Sequence, residues 1–109
     1  MSLPMTTLAQ VHVLLPGSQL IHVSDSAAQA ISISHIGSDS RQIQAGELFV
    51  ALKGERFDAH DFLGKLASAG ASAALISNKE RCPENLAAVC VDDTKHSLGQ
   101  LAKAWPRRV

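Results

Sequence analysis

Residues 47–76 read ELFVALKGERFDAHDFLGKLASAGASAALI, and this stretch decides the fold. Leu48–Leu52 (LFVAL) is a continuous apolar run of strand length, the pattern of a strand covered on both faces. Lys53–Asp61 is polar and carries one large hydrophobe, Phe57. A helix is predicted to start near Asp61, with Phe62, Leu66 and Ala69 on one stripe. Gly70 is placed to end it, because glycine tolerates the left-handed turn at a helix terminus. Ala73–Ile76 is apolar again and reads as a second strand. Strand, helix and strand in this order define a layered α/β domain.

Towards the amino terminus, Thr6 or Thr7 can cap a short helix in which Leu8, Val11 and Leu15 share one face. Pro16 and Gly17 end it. Gln19–Val23 reads as a strand, 24–30 as a Ser/Asp/Ala bridge, and Ile31–Ser34 (ISIS) alternates with the period of a half-buried strand. Towards the carboxyl terminus, Ala87–Val91 reads as a strand joined to Ala73–Ile76 by the loop SNKERCPEN. Asp93 or Thr94 caps a last helix with a stripe of Leu98, Leu101 and Trp105, broken by Pro106. The links between the early strands are too short for helical crossovers, so the sheet is expected to be mixed. The whole is read as a three-layer α/β/α domain with about five strands, spanning 1–109.

Composition narrows the function. The 109 residues are enough for one core and not two. They are 46% hydrophobic and 18% charged, which fits a globular chain rather than a disordered one. Ten Lys and Arg balance ten Asp and Glu, against the basic surplus of a dedicated nucleic-acid binder. No apolar run approaches the roughly 20 residues of a membrane span. The start, MSLPMTT, lacks the regions of a signal peptide, so a cytoplasmic location is expected. Cys82 and Cys90 are too few for a disulfide framework, and Cys90, inside AAVCV, reads as a small buried hydrophobe. The stop after Pro106-Arg-Arg-Val109 reads as a domain cut from a longer protein, with a short frayed tail as the alternative.

No GxxxxGK[ST] phosphate loop, GxSxG elbow, HExxH or CxxC occurs. Asp92 and Asp93, at a strand's end, admit a magnesium reading, but a helix cap with a solvated neighbour explains both. Two polar segments remain. Ser38-Asp39-Ser40-Arg41 offers hydroxyls and turn amides that can bind phosphate or ribose oxygens, or simply a turn that satisfies itself. Lys53–His60 combines Gly54, which permits close backbone approach, with Lys53 and Arg56 as positive charge. Arg56 and Phe57 can stack on a flat ring, and Asp58 can accept from a ribose or base. A solvated loop anchored by Phe57 is the plain alternative, and His60 alone is weak evidence. A five-residue strand is about 17 Å long. The two segments therefore converge only if the strand leading to Ser38 runs parallel to Leu48–Leu52.

The blocks SDSRQIQAG, GELFVALKGERFDAHDF, AGASAALIS and VDDT, in this order and spacing, resemble the amino-terminal domain of the Mur ligases. Within the family they resemble most the branch that adds D-alanyl-D-alanine. The sister branch, which adds a diamino acid, and a stand-alone interaction domain of the same fold are the alternatives. The resemblance implies a domain that binds the UDP end of a UDP-N-acetylmuramoyl-peptide in peptidoglycan synthesis. ATP and magnesium would act on a central domain, and a carboxy-terminal domain would bring the amine; neither domain lies within these residues. No cofactor and no catalytic group is expected on the chain itself. Ser38 and Ser40, with Arg41, match the family's uridine-contacting turn. Glu55, Arg56 and Phe57 match nucleotide-contacting positions of the sister branch but differ in residue type, while Asp58 matches a shared Asp. Lys53, Gly54 and His60 complete the expected UDP-binding set.

Overall fold

A computed structural model describes residues 6–38, 43–52 and 63–104. The chain begins with β1 (Thr6–Thr7) and α1 (Leu8–Leu14), whose Thr7 side chain accepts from the Gln10 amide, as the capping reading expected. Leu8, Val11 and Leu15 are all buried, and Gly17 ends the turn at φ +83°. β2 (Gln19–Ile21) follows.

The bridge expected at 24–30 is instead a helix, α2 (Asp25–Ala30), capped by Ser24, whose side chain accepts from the Ala27 amide. It is six residues long and buries only Ala28, so it leaves no apolar stripe to read in the sequence. The alternating stretch at 31–34 also divides. β3 (Ser32–Ile33) pairs antiparallel with β1, and β4 (His35–Gly37) joins a different sheet.

The main sheet continues with β5 (Glu47–Val50), β6 (Ala73–Ile76) and β7 (Ala88–Cys90), in the spatial order β2-β7-β6-β5-β4. β4 to β7 run parallel and β2 antiparallel, the mixed five-stranded sheet expected. α3 (Leu63–Ala69) lies between β5 and β6, a 3₁₀ turn (Lys79–Arg81) lies between β6 and β7, and α4 (Thr94–Ala104) closes the described chain. Gly70, at φ +100°, ends α3. The buried stripe of α3 is Leu63 and Leu66; Ala69, expected on it, is exposed. Phe62 and Trp105 lie outside the described residues.

Every β5 residue is buried because both faces of the sheet are covered. Leu48 and Val50, with Ala73, Leu75 and Val89, face α1, α2 and α4. Phe49 and Ala51, with Ala74, Ile76 and Ala88, face α3 and the Cys82–Leu86 link. The period of two along each strand thus produces three layers, helix on sheet on helix.

Candidate functional site

The four parallel strands deliver their carboxyl ends to one rim. Gly37 is in register with Phe49, Val50 with Leu75, and Leu75 with Val89. Ser38 therefore leaves β4 at the level of Val50, with Ala51 and Leu52 just beyond on the adjacent strand. Adjacent strands lie about 4.8 Å apart. The pairing condition for convergence is met: the chain enters both polar segments, after Ser38 and after Leu52, at the same rim.

Ser38 is the one expected site residue in the described structure, and it is exposed. Ser40 and Arg41 lie outside the described residues, as do Lys53, Gly54, Glu55, Arg56, Phe57, Asp58 and His60.

The rim is braced from α4. The Thr94 hydroxyl, buried, donates to the Ala51 carbonyl at 2.8 Å. Asp93 Oδ1 accepts from the Lys95 and His96 amides at 3.0 and 3.3 Å, while Asp92 is exposed. This is the capping role with a solvated neighbour. Among the described residues no group of three His, Cys, Asp or Glu side chains is disposed to hold a metal.

Along the β6–β7 part of the rim lies a hollow of about 290 Å³, whose lining includes Gly17, Gln19, Asn78, Lys79, Cys90, Val91 and Asp92. A second, of about 260 Å³, shares Gly17, Val91 and Asp92 with it and extends to His96. Cys90 is half-buried rather than enclosed; Cys82 is the buried cysteine. Burial pushes both thiols above the ordinary range, reinforced at Cys82 by Cys90 and opposed at Cys90 by the Lys79 amide and charge. Protonated thiols are poor nucleophiles at neutral pH, so neither is poised for covalent catalysis.

Against Gly37, the residue before Ser38, lies a pair that the sequence reading missed. Glu47 is 1% exposed, and its Oε1 lies 3.5 Å from Nε2 of the half-exposed His35. A glutamate opening an apolar run reads in sequence as a strand-end solvent group; only the register, which sets Glu47 opposite His35, reveals it as internal.

A mixed five-stranded sheet with helices on both faces and its four parallel strands ending on one rim defines a three-layer α/β/α domain. It superimposes on a crystal structure of MurF from Acinetobacter baumannii with a TM-score of 0.71 at 33% identity, covering 89% of this chain and 20% of that one. The family model described as "Mur ligase family, catalytic domain" matches residues 32–106. This chain belongs to the Mur ligase family. It is 41% identical over 93 residues to the UDP-N-acetylmuramoyl-tripeptide–D-alanyl-D-alanine ligase of Escherichia coli K12, across 84% of this chain and 20% of that protein. The enzyme of the same name from Bacillus subtilis 168 is 43% identical over 74 residues, across 67% of this chain and 16% of that protein. The chain thus spans about one fifth of the length of the curated relatives it matches.

Proposed function

We propose that this chain holds the uridine diphosphate end of UDP-N-acetylmuramoyl-tripeptide for an ATP-dependent ligase that adds D-alanyl-D-alanine during peptidoglycan synthesis in the cytoplasm. The observation that carries the reading is the parallel pairing of β4 with β5, which brings Ser38 and Leu52 to one rim in a chain of this family. Uracil presents one N–H donor and two carbonyl acceptors, which backbone groups at strand ends and turns can match. The diphosphate calls for donors more than bulk charge. Ser38, Ser40 and Arg41 on one segment serve that end, with Lys53, Gly54, Glu55, Arg56, Phe57, Asp58 and His60 on the other.

ATP and magnesium belong to the remainder of such an enzyme, where they would activate the peptide carboxylate for attack by the amine. The residues here do not fit them: the phosphate-loop motif is absent from the sequence, and Asp93 is committed to its helix cap. No step of the bond-forming chemistry is placed on this chain; its task is to bind and orient. The test is the Ser40→Ala, Arg56→Ala double variant in the full-length enzyme. The apparent KM for the UDP substrate should rise while that for ATP changes little, and a loss confined to ATP affinity would contradict the reading.

A further inference from the structure

We propose that Glu47 and His35 are positioning residues for the nucleotide site, fixing the point at which the chain leaves β4 into Ser38. The inference rests on the reading of that rim as the UDP site and adds to it two residues outside the expected set.

Three observations carry it. First, the pair lies directly against Gly37, the residue before Ser38. A Cβ on Gly37 would stand 2.8 Å from Glu47 Oε1 and 3.4 Å from His35 Nε2. The first distance is below any ordinary contact, so the β4 backbone lies directly over the end of the Glu47 side chain, and a side chain at position 37 would have to displace it. Second, Glu47 is a rigid base. Its amide donates to the Gln44 carbonyl at 3.1 Å, and its carbonyl accepts from the Ser72 amide at 2.9 Å. Its carboxylate therefore projects from backbone fixed on both sides. Third, burial of a carboxylate is a poor way to gain stability. Desolvation offsets most of the attraction, and an apolar side chain of similar size would serve the core as well or better. The neighbours on that face, Phe49 and Ala51, are apolar and fully buried. A polar group there stands against both the His35 imidazole and Gly37, where the two side chains together can set the height of the β4 backbone.

β4 is also the edge strand of the sheet. It is three residues long, and among the described residues β5 is the strand that supplies its ladder. The His35–Glu47 contact is a second tie between those same two strands, made through side chains at their first residues and reaching towards Gly37.

The experiment uses the full-length enzyme. Calorimetry of the wild type with UDP-N-acetylmuramoyl-tripeptide comes first, and absence of binding there would overturn the reading of the site itself. With binding in hand, His35→Ala and Glu47→Gln should each raise KM for the UDP substrate about fivefold or more, the scale of one lost hydrogen bond. KM for ATP and kcat should stay within about twofold, the signature of lost binding rather than lost active protein. His35→Gln, which returns an N–H donor near the Nε2 position, should recover most of the affinity lost in His35→Ala. Unchanged KM in His35→Ala, or a fall in kcat alone, would overturn the inference, and because His35 is half-exposed that variant tests it even if Glu47→Gln does not fold.

Discussion

The Thr94 hydroxyl reaches across the sheet edge to the Ala51 carbonyl, 43 residues away in sequence, and the two are joined by a buried 2.8 Å hydrogen bond. It ties the first turn of α4 to the strand end from which Leu52 leads into the second polar segment. The same residue thus opens a helix and braces the rim.

Replacing Thr94 by Val keeps the shape and removes the donor, leaving the Ala51 carbonyl buried without it. The cost should be about 1–3 kcal/mol, the price of an unsatisfied buried acceptor. Thr94→Ser, which keeps the hydroxyl, should lose less. Denaturant unfolding compares the two; equal midpoints for Thr94→Val and wild type would contradict the bracing role.

At Gly46 two constraints coincide. Its φ is +82°, and a Cβ there would collide with the Ser34 hydroxyl. Gly46→Ala should therefore destabilise by at least about 1 kcal/mol through backbone strain alone. Adding Ser34→Ala should relieve the collision and not the strain, so the double variant should recover only part of the loss in a thermal melt. Full recovery would show that the backbone angle carries no penalty.

Core and surface positions should separate sharply. Leu66 on α3 is fully buried against the sheet, and Leu66→Ala should cost about 2–5 kcal/mol. Val13 on α1 is 71% exposed, and Val13→Ala should fall within about 0.5 kcal/mol of wild type. Comparable losses at the two sites would place the core wrongly.

Much of this arrangement was legible beforehand, for identifiable reasons. LFVAL announced a strand covered twice, Thr7 and Gly70 marked helix ends, and Asp93 was read as a cap. What escaped is equally specific. α2 buries only Ala28, so its six residues carry no stripe. Ser34 separates two strands of different sheets, and local alternation contains no information about partners. Glu47 looks like a solvent group until its register with His35 is known. At the candidate site, Ser38 could be placed on the rim; the remaining nine expected residues fall outside the described structure, and their roles rest on the family pattern.

The cysteines make a pH prediction. Burial raises both thiols, so the folded state holds their protons to higher pH than the unfolded chain does, where a thiol ionises near 8.5. With more protons bound in the folded state, stability falls as pH rises above that value. The contribution is fully present below it. Denaturation midpoints should decline from pH 8 to 10, and a Cys82→Ala, Cys90→Ala variant should decline less steeply. Labelling by a thiol reagent at pH 8 should likewise be slow until denaturant is added; immediate labelling of both would contradict the protonated state.

Hydrogen exchange read by mass spectrometry, on the full-length enzyme with and without UDP-N-acetylmuramoyl-tripeptide, probes the nucleotide-holding rim without any substitution. Peptides spanning 36–42 and 50–60 should gain protection together on adding the nucleotide. Protection confined to α1 and α2, with both of those peptides unchanged, would show that the nucleotide is held elsewhere.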